Sequence, residues 1–343
     1  MARIALDAMG GDFAPEAAIA GALQALGEIG AEHRITLVGR TADVERTLDH
    51  LLHTSHAGAV AHRDRIDIVD APEVIAMSDK PTVALRGKTK SSMVVGLKLH
   101  ADGHADAFVS AGNTGAQMAA STVLLKLYTG LTRPAIATLF PTSNQLVVVL
   151  DCGANVDCSP EELVQFARLG AVYAEDMLGR SHPVVGLLSI GEEPEKGNAA
   201  VKEAHQLMLQ AGVNFQGNIE GRDIARGASD RGPIDVVVCD GFTGNVILKF
   251  YEGVAPMITG FLGKAGVTPE QIEEAFRPLD YSEHGGAPLL GVRGVSIICH
   301  GKSSPRAIMN GIKVALRAVD SRMCDHIGRR LEAAQTTQPA ASA

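Results

Sequence analysis

The stretch RIALDAMGGDFAP, residues 3–15, decides the fold of this chain. Its first half is a short apolar run that is typical of a buried strand, and Gly10 and Gly11 then permit backbone conformations that are closed to other residues. Asp12 and Pro15 suit the cap and the first turn of a helix. A strand, a glycine turn and a helix start together present free backbone N–H groups, so the stretch predicts an α/β fold with an anion site.

The same arrangement recurs along the chain. Apolar strand candidates alternate with longer helical patterns, which predicts an α/β/α sandwich with a largely parallel sheet. Ligands gather at the carboxyl ends of the strands in such a sheet. No linker divides the sequence, so we take residues 1–330 as one catalytic unit and 331–343 as a disordered tail. A two-lobed unit is the alternative, with a boundary that the sequence does not show.

Two long helices are predicted over Lys80–Ala101 and Pro305–Ile327, whereas Leu48–Asp67 is a variable, His-rich stretch. Its three histidines are spaced three and three, with no Asp or Cys partner at a fixed offset. Metal sites require such partners, so we predict no metal at His50, His53 and His56.

Composition excludes several classes of protein. The net charge of −8 argues against a nucleic-acid binder, which needs a basic face. Five cysteines without a Cys-x-x-Cys pair indicate reduced, cytosolic thiols. Asp7 and Asp12 interrupt any early apolar run, so no signal peptide is predicted. No stretch reaches the ~18 apolar residues of a membrane span. We expect a cytoplasmic protein that meets a membrane only from its surface.

Two of the later turns carry groups suited to anions. The turn SAGNTG, residues 110–115, is either an anion or carbonyl cradle or an ordinary strand–helix turn with a good cap. The turn SIGEEPEKGN, residues 189–198, places Lys196 among three acids. A lysine there can contact phosphate as a point charge, and a solvated loop is the alternative.

Two more turns carry hydrogen-bonding side chains. In DGFTGN, residues 240–245, Asn245 offers a neutral N–H donor of the kind used for oxyanions, or else caps a helix. In HGKSS, residues 300–304, His300 can donate a hydrogen bond or transfer a proton near neutral pH. A histidine packed at a strand end is the ordinary alternative.

Two surface features stand apart from these turns. Positive charge concentrates beside two serine hydroxyls and suits phosphate or an acidic protein partner, against the alternative of a solvated helix face. The residues are Lys80, Arg86, Lys88, Lys90, Ser91 and Ser92. One helix also has an apolar face, which is either core or a membrane-seeking element because Pro256 and several glycines weaken the helix. That face comprises Phe250, Val254, Met257, Ile258, Phe261 and Leu262.

In number, order and spacing these motifs resemble those of the bacterial phosphate acyltransferase (PlsX) family, from residue 4 to about 325. The motifs that carry the resemblance are DAMGGD (7–12), SAGNTG (110–115), GEE (191–193), KGN (196–198), NF (214–215), GNIEG (217–221), DGFTGN (240–245) and GGAPLLG (285–291). Three positions depart from the family's pattern. This chain has Ser189 where the family usually has Asn, Lys90 where an acid is common, and Lys302 where a small residue is more usual.

The resemblance implies a fold similar to the isocitrate/isopropylmalate dehydrogenase and phosphotransacetylase group. It implies transfer of a long-chain acyl group from acyl carrier protein to inorganic phosphate, giving acyl phosphate for phosphatidic acid synthesis. It further implies a homodimer, peripheral attachment to the cytoplasmic membrane, a membrane glycerol-3-phosphate acyltransferase as a partner, and no cofactor. A phosphotransacetylase acting on acyl-coenzyme A is the alternative. A dehydrogenase is a weaker rival, because no Gly-x-Gly-x-x-Gly follows the first strand. A membrane-docked scaffold is the non-enzymatic rival.

On this resemblance we assign roles to residues. Lys196 binds phosphate and stabilises the tetrahedral intermediate, Asn245 donates to the thioester oxygen, and His300 lines the phosphate site as the third catalytic residue. The other expected phosphate and substrate contacts are Gly10, Gly11, Asp12, Ser91, Ser92, Asn113, Thr114, Gly115 and Asn198. Carrier docking is assigned to Arg86, Lys88 and Lys90, and membrane contact to Phe250, Val254, Met257, Ile258 and Phe261.

Overall fold

Two compact units make up the chain in this computed structural model, which describes residues 1–276 and 285–337. Unit 1 comprises Met1–Leu127 and Ser282–Cys324, and unit 2 comprises Tyr128–Tyr281 and Asp325–Ala343. The sequence shows no such boundary, because residues around 127 and 324 have no linker composition.

Unit 1 alternates strands with helices, numbered here along the whole chain. Its strands are β1 (Arg3–Asp7), β2 (Arg34–Gly39), β3 (Ile66–Asp70), β4 (Ala107–Ser110), β13 (Ala287–Leu290) and β14 (Val295–Ile298). Its helices are α1 (Glu16–Glu28), α2 (Thr41–His53), a 3-10 helix (Ala57–Arg65), α3 (Pro81–Gly87), α4 (Ser92–Ala101), α5 (Thr114–Leu124) and α11 (Pro305–Asp320).

The sheet of unit 1 runs in the order β3-β2-β1-β4-β14-β13. Its strands pair in parallel, except that β13 is antiparallel to β14. Strands β4 and β14 end together, with Ser110 opposite Ile298, and β1 adjoins β4. The loops that follow these three strands therefore leave from one edge of the sheet.

Unit 2 contains eight strands among the residues that the structure describes. They are β5 (Ala135–Ile136), β6 (Thr138–Pro141), β7 (Leu146–Leu150), β8 (Val184–Leu188), β9 (Asn214–Ile219), β10 (Ala228–Ser229), β11 (Gly232–Pro233) and β12 (Val236–Val238), of which β10 and β11 form a two-stranded sheet of their own. Its helices are α6 (Pro160–Leu178), α7 (Ala199–Met208), α8 (Gly221–Arg226), α9 (Gly241–Lys264), α10 (Pro269–Phe276) and α12 (Met323–Thr337).

The main sheet of unit 2 runs in the order β6-β7-β12-β8-β9, and all neighbours except β6 and β7 are parallel. Residues 147–150 and 236–238 are fully buried, as expected for strands that are covered on both faces. The largely parallel α/β architecture predicted from sequence is thus present in each unit.

Four segments differ from the sequence prediction. Helices α3 and α4 replace the single helix predicted over Lys80–Ala101, because the Ser91 hydroxyl accepts a hydrogen bond from the Val94 N–H and starts a new helix. The helix predicted over Pro305–Ile327 also divides, since Arg322 adopts a left-handed conformation with φ of +53°.

Helix α12 extends to Thr337, so residues 331–337 are helical where a disordered tail was predicted. Residues 338–343 of that prediction lie outside the described residues. The stretch predicted as variable from Leu48 onward begins inside α2, whose buried Val44, Leu48, Leu51 and Leu52 form one apolar face.

Candidate active site

The edge of unit 1 is organised around the buried carboxylate of Asp7, at the end of β1. Asp7 Oδ2 accepts a hydrogen bond from the Ser110 hydroxyl (2.7 Å), and Oδ1 accepts from the Met9 N–H (3.1 Å). The Ser92 hydroxyl also donates to this carboxylate. Burial raises the pKa of Asp7 above its ordinary value, and these hydrogen bonds offset part of the rise. Asp7 thereby ties the loop after β1 to β4 and α4.

The three loops that follow β1, β4 and β14 contact one another. The Asp12 N–H donates to the Gly301 carbonyl (2.7 Å), and the Gly112 N–H donates to the Ser110 hydroxyl (2.9 Å). A Cβ at Gly10 would lie 2.8 Å from the Gly112 nitrogen, and Gly11 has φ of +103°. Glycine is therefore required at both positions for the loops to approach this closely.

Three side chains predicted to contact phosphate are buried and hydrogen-bonded to protein groups instead. Ser91 caps α4, and Ser92 donates to Asp7. Asn113 caps α5 by accepting from the Ala116 N–H (3.0 Å), and its amide nitrogen donates to backbone carbonyls of residues 76, 77 and 79. These side chains shape the edge of the sheet rather than project from it.

The N-terminus of α5 keeps free donors at this edge. The N–H groups of Thr114 and Gly115 have no hydrogen-bond partner among the described residues. His300 is exposed where β14 ends, and its Nδ1 accepts a hydrogen bond from the Lys302 N–H (3.2 Å). The structure thus brings Gly10, Gly11, Asp12 and the His300 loop together, while the catalytic role of His300 stays a prediction.

The edge of unit 2 has a corresponding buried carboxylate, Asp151, just after β7. Its Oδ1 accepts from the N–H groups of Ile136 (3.0 Å) and Ala154 (3.1 Å). Its Oδ2 accepts from the backbone N–H (2.6 Å) and the side-chain amide (2.9 Å) of Asn155. Burial raises the pKa of Asp151, against the opposing effect of these four hydrogen bonds. Asp151 fixes the loop over which α9 begins.

The first turn of α9 is pressed against that loop. The Gly241 N–H donates to the Asn155 carbonyl (2.7 Å), and a Cβ at Gly241 would lie 2.6 Å from Asp151 Oδ2. A Cβ at Gly244 would overlap the carbonyl oxygen of Asp151. Only glycine permits this close approach of helix and loop.

Asn245 follows directly in this first turn and is exposed at the edge of the sheet. A Cβ at Gly153 would lie 3.5 Å from Asn245 Oδ1, which places the amide above the glycine of the Asp151 loop. Asp240, not Asn245, caps α9, by accepting from the Thr243 N–H (2.8 Å). The Asn245 amide has no partner among the described residues, so it is available to a ligand.

Lys196 lies in the loop after β8 and is exposed. Although three glutamates flank it in sequence, its ammonium pairs with no carboxylate in the described part of the chain. Glu192 instead faces Arg231, whose Nη2 donates to the Glu192 carbonyl (3.2 Å). The loop thus presents an uncompensated cation at the same sheet edge as Asn245.

Two buried side chains that contact each other, Asn218 and His205, hold the Lys196 loop in place. The Asn218 amide donates to the Glu193 carbonyl (2.8 Å), and Asn218 Oδ1 contacts His205 Nδ1 at 2.9 Å. Asn218 and His205 are both buried, and the His205 ring packs edge-on against Phe215. Asn198, predicted to contact phosphate, caps α7 by accepting from the Val201 N–H (2.9 Å).

The sequence places Asp151 at the end of a buried strand, where it either orients a Lys or Arg or holds the loop by accepting backbone hydrogen bonds, and the structure shows the second role. Sequence reasoning missed Asn155, His205 and Arg231 as residues that organise the edge of unit 2. Asn155 follows Asp151 by four residues, and Asn218 lies in the quoted motif GNIEG, so a polar residue after a buried strand was the available signal. His205 and Arg231 lie on a helix and a hairpin, where no such signal exists.

The basic patch is only partly available to a partner. Lys88 Nζ pairs with Asp79 (2.6 Å) and donates to the Val74 carbonyl (2.9 Å). Arg86 and Lys90 are exposed. The carrier-docking assignment therefore applies best to Arg86 and Lys90.

Helix α9 exposes a long apolar face. Phe250 is 71% exposed and Phe261 is 60% exposed, and the same face includes Phe242, Val246 and Met257. Ile258, predicted with this face, is also exposed, while Val254 is half-buried. Apolar side chains exposed in a continuous stripe mark a surface that binds something apolar.

By length and composition α9 could cross a membrane. It has 24 residues, and an 18-residue window within it has a mean hydropathy of 1.2 and contains no buried residue. The sequence prediction that no stretch reaches a membrane span is therefore wrong, because it counted only uninterrupted apolar runs. The Tyr251 hydroxyl donates to the Pro141 carbonyl (2.5 Å), and its ring packs edge-on against Phe140. One side of α9 is thus docked on β6, which favours a helix lying on a surface.

The chain matches a known family over nearly its whole length. The model of the "Fatty acid synthesis protein" family matches residues 2–326. The phosphate acyltransferase of Desulforamulus reducens is 47% identical over 342 residues, covering 97% of this chain and 98% of that protein. That of Heliobacterium modesticaldum is 46% identical over 346 residues, covering 96% and 99%.

Solved structures with the same fold are more distant in sequence. A phosphotransacetylase from Streptococcus pyogenes superposes with a TM-score of 0.65 at 16% identity, covering 93% of this chain and 94% of that one. The EutD phosphotransacetylase from Staphylococcus aureus gives a TM-score of 0.60 at 15% identity, with the same coverage. At such identity the likeness confirms the predicted fold class and nothing further.

Proposed function

The chain belongs to the fatty acid synthesis protein family, with phosphate acyltransferases as curated relatives, and we propose that it moves a long-chain acyl group from acyl carrier protein to inorganic phosphate. Acyl transfer to phosphate follows from the family. The carrier-protein donor, the long chain and the use of the acyl phosphate in phosphatidic acid synthesis are the proposed part.

The chemistry suits the groups at the edge of the unit 2 sheet. An oxygen of phosphate attacks the thioester carbonyl carbon, the carbon–sulfur bond breaks, and the carrier leaves as a free thiol. Phosphate is itself the nucleophile, so no acyl-enzyme is needed. Cys152 and Cys299 are poor nucleophiles, because burial raises the pKa of each thiol to about 12. The enzyme must chiefly stabilise negative charge.

The uncompensated cation of Lys196 is the observation that carries the proposal. A lysine that pairs with none of its flanking glutamates is available to an anion, and Asn245 supplies a neutral donor at the same sheet edge. We assign Lys196 to phosphate and to the charge of the tetrahedral intermediate, and Asn245 to the thioester oxygen.

The donor is identified by a labelled-phosphate assay. The protein is mixed with radiolabelled phosphate and either palmitoyl-acyl carrier protein or palmitoyl-coenzyme A, and labelled acyl phosphate is counted. We expect product from the carrier thioester at a kcat/KM at least tenfold above that from the coenzyme A thioester.

Preference for coenzyme A would replace the proposal with its closest alternative, a phosphotransacetylase. Loss of thioester without labelled product would indicate hydrolysis, and absence of any thioester loss would favour a scaffold. The Lys202→Ala variant, which removes an exposed lysine of α7, is the control for protein quality.

We further propose that the protein is a cytoplasmic homodimer held at the membrane surface by α9. The apolar stripe of α9 supports the membrane contact. An acyl phosphate has a reactive anhydride and a long apolar tail, which supports consumption at the membrane by a glycerol-3-phosphate acyltransferase. No cofactor is assigned to the reaction.

A further inference from the structure

A cavity of about 920 Å³ opens in unit 1, beside the helices that follow the loops already described. It lies between the start of α1, the second half of α2 and the segment that leads into α11. Its volume is in the range that buries a small-molecule ligand. No role has been assigned above to the side chains that line it.

The floor of the cavity is apolar. Ala17, Ala20 and Leu51 line it and are buried, whereas Phe13 lines it with 57% of its surface exposed. An exposed phenylalanine beside a buried aliphatic floor provides a surface for a hydrocarbon chain.

The rim of the cavity is basic. Arg46, His50, His56 and Lys302 line it, and Glu16 is the one carboxylate among the described lining residues. Arg46 forms an ion pair with Asp43 on the exposed face of α2, with 2.6 Å between Arg46 Nη2 and Asp43 Oδ1. Lys302 has no ion pair within the described ranges, and it stands where the resembled family has a small residue.

Two helices also begin at the cavity. Pro15 and Glu16 belong to the start of α1, and Ser304 and Pro305 to the start of α11, so both positive dipole ends lie at the rim.

From this arrangement we propose that the cavity binds the long-chain acyl phosphate, with its tail on the apolar floor and its phosphate at the basic rim. The apolar floor and the basic rim adjoin each other, so a matching ligand carries its negative charge next to its hydrocarbon chain. An acyl phosphate does so, because its phosphate is bonded directly to the acyl group. In a carrier-bound thioester the pantetheine arm separates the phosphodiester from the chain. The proposal rests on the proposed function, because that reaction is what forms an acyl phosphate.

Dodecyl phosphate is a stable probe of this chemistry, used below its micelle-forming concentration. The protein has no tryptophan, so Phe13→Trp places a unique fluorophore at the cavity mouth. We expect a saturable change in its emission, half-complete at a concentration at least tenfold lower for dodecyl phosphate than for dodecanol or inorganic phosphate. Val123→Trp, at a 70% exposed position on α5 outside the cavity, is the matched control and is expected not to respond.

The contribution of the rim is measured in the Phe13→Trp background. Adding Lys302→Ala is expected to weaken dodecyl phosphate binding about tenfold, as for loss of a charge-assisted hydrogen bond. Lys98→Ala, which removes an exposed lysine of α4, is expected to leave binding unchanged. Equal responses in the two tryptophan variants, or equal affinity for dodecanol and dodecyl phosphate, would overturn the proposal.

Failure of this proposal is distinguishable from failure of the proposed function. Binding of dodecyl phosphate is measured without donor or turnover. If labelled acyl phosphate forms but Phe13→Trp does not respond, the cavity proposal is wrong and the reaction stands. If dodecyl phosphate binds as expected but no acyl phosphate forms, the cavity still binds an alkyl phosphate and the assigned reaction is wrong.

Discussion

Asp7 and Asp151 have the same structural role in their separate units, which is to anchor the loop that follows a strand. Each follows a buried strand, accepts hydrogen bonds from the loop that comes next, and is itself removed from solvent. Loops that carry ligand groups need such anchoring, because a ligand-binding backbone cannot satisfy all of its own hydrogen bonds. The two carboxylates therefore explain why flexible glycine turns hold a definite shape here.

The raised pKa of Asp7 predicts a pH effect on stability. Burial raises the folded pKa above the ordinary 3.8, so the folded state holds the proton more tightly than the unfolded chain does. As the pH rises from about 3.8 through the folded pKa, the unmodified protein should therefore lose stability relative to Asp7→Asn. Urea unfolding of both proteins between pH 4 and pH 7 measures this difference. A difference that grows in favour of the unmodified protein as the pH rises would show that the folded pKa is lowered.

At single residues, the sequence did not distinguish a side chain that caps a helix from one that is exposed to a ligand. Residues such as Asn113, Ser91 and Asn198 follow strands or precede helices, where the same polar types serve either as caps or as ligands. The structure shows them as caps, because their oxygens accept backbone hydrogen bonds. Lys196 and Asn245 differ in that their side chains have no hydrogen-bond or ion-pair partner within the described part of the chain. Sequence alone does not show whether a partner is present.

At the scale of elements, strands were easier to predict than the ends of helices. The sequence predicts strands over Ala107–Ser110 and Leu146–Leu150 and a helix over Pro160–Leu178, and the structure gives β4, β7 and α6 with these same limits. Each segment has clear boundaries in the sequence. Helix α2 was missed because its apolar face is interrupted by histidines and acids. The breaks before α4 and α12 depend on one cap and one left-handed residue, which periodicity does not show.

The packing of α9 on the Asp151 loop predicts opposite effects for two glycines of one helix. Gly244→Ala places a Cβ on the Asp151 carbonyl and should destabilise the protein by about 1–3 kcal/mol or more. Gly253→Ala meets nothing within 4 Å and should stabilise it by about 0.5–1 kcal/mol through better helix propensity. Thermal unfolding followed by circular dichroism measures both. Equal effects would mean that the helix does not rest on the loop.

The exposed stripe of α9 predicts attachment to vesicles. Phe250→Ser combined with Phe261→Ser removes two exposed rings, and should lower partition to anionic vesicles roughly 100-fold, given ~1.5–3 kcal/mol per buried ring. Co-sedimentation with phosphatidylglycerol vesicles measures the partition. Val123→Ser, at an exposed apolar position on α5, is the control. Undiminished sedimentation of the double variant would assign the stripe to another contact.

At the scale of the whole molecule, an acidic enzyme is proposed to bind an acidic carrier. The net charge of −8 opposes that encounter, so a local basic surface must guide it. The sequence predicts this surface at Arg86, Lys88 and Lys90, and among the described residues Lys88 pairs with Asp79 whereas Arg86 and Lys90 are exposed. The division into two units was not predictable, because contacts between distant segments define it rather than any linker.

Reversing these charges should weaken carrier binding in low salt. Arg86→Glu with Lys90→Glu is expected to raise the KM for acyl carrier protein roughly tenfold at low ionic strength, with the effect shrinking as salt screens the charges. Steady-state kinetics at several salt concentrations measures this. Lys98→Glu on α4, which makes half of this charge change outside the patch, is the control. A KM independent of both the substitution and the salt would place the carrier elsewhere.

Whether Lys196 and Asn245 stabilise charge during acyl transfer is tested most directly by the rate at which labelled phosphate enters acyl phosphate. With palmitoyl-acyl carrier protein as donor, Lys196→Ala and Asn245→Ala should each lower kcat by roughly 100-fold or more, as for loss of one oxyanion donor. Their thermal unfolding should match that of the unmodified protein, since neither side chain has a partner among the described residues. Near-normal kcat in both folded variants would contradict the assignment of the site to this edge of unit 2.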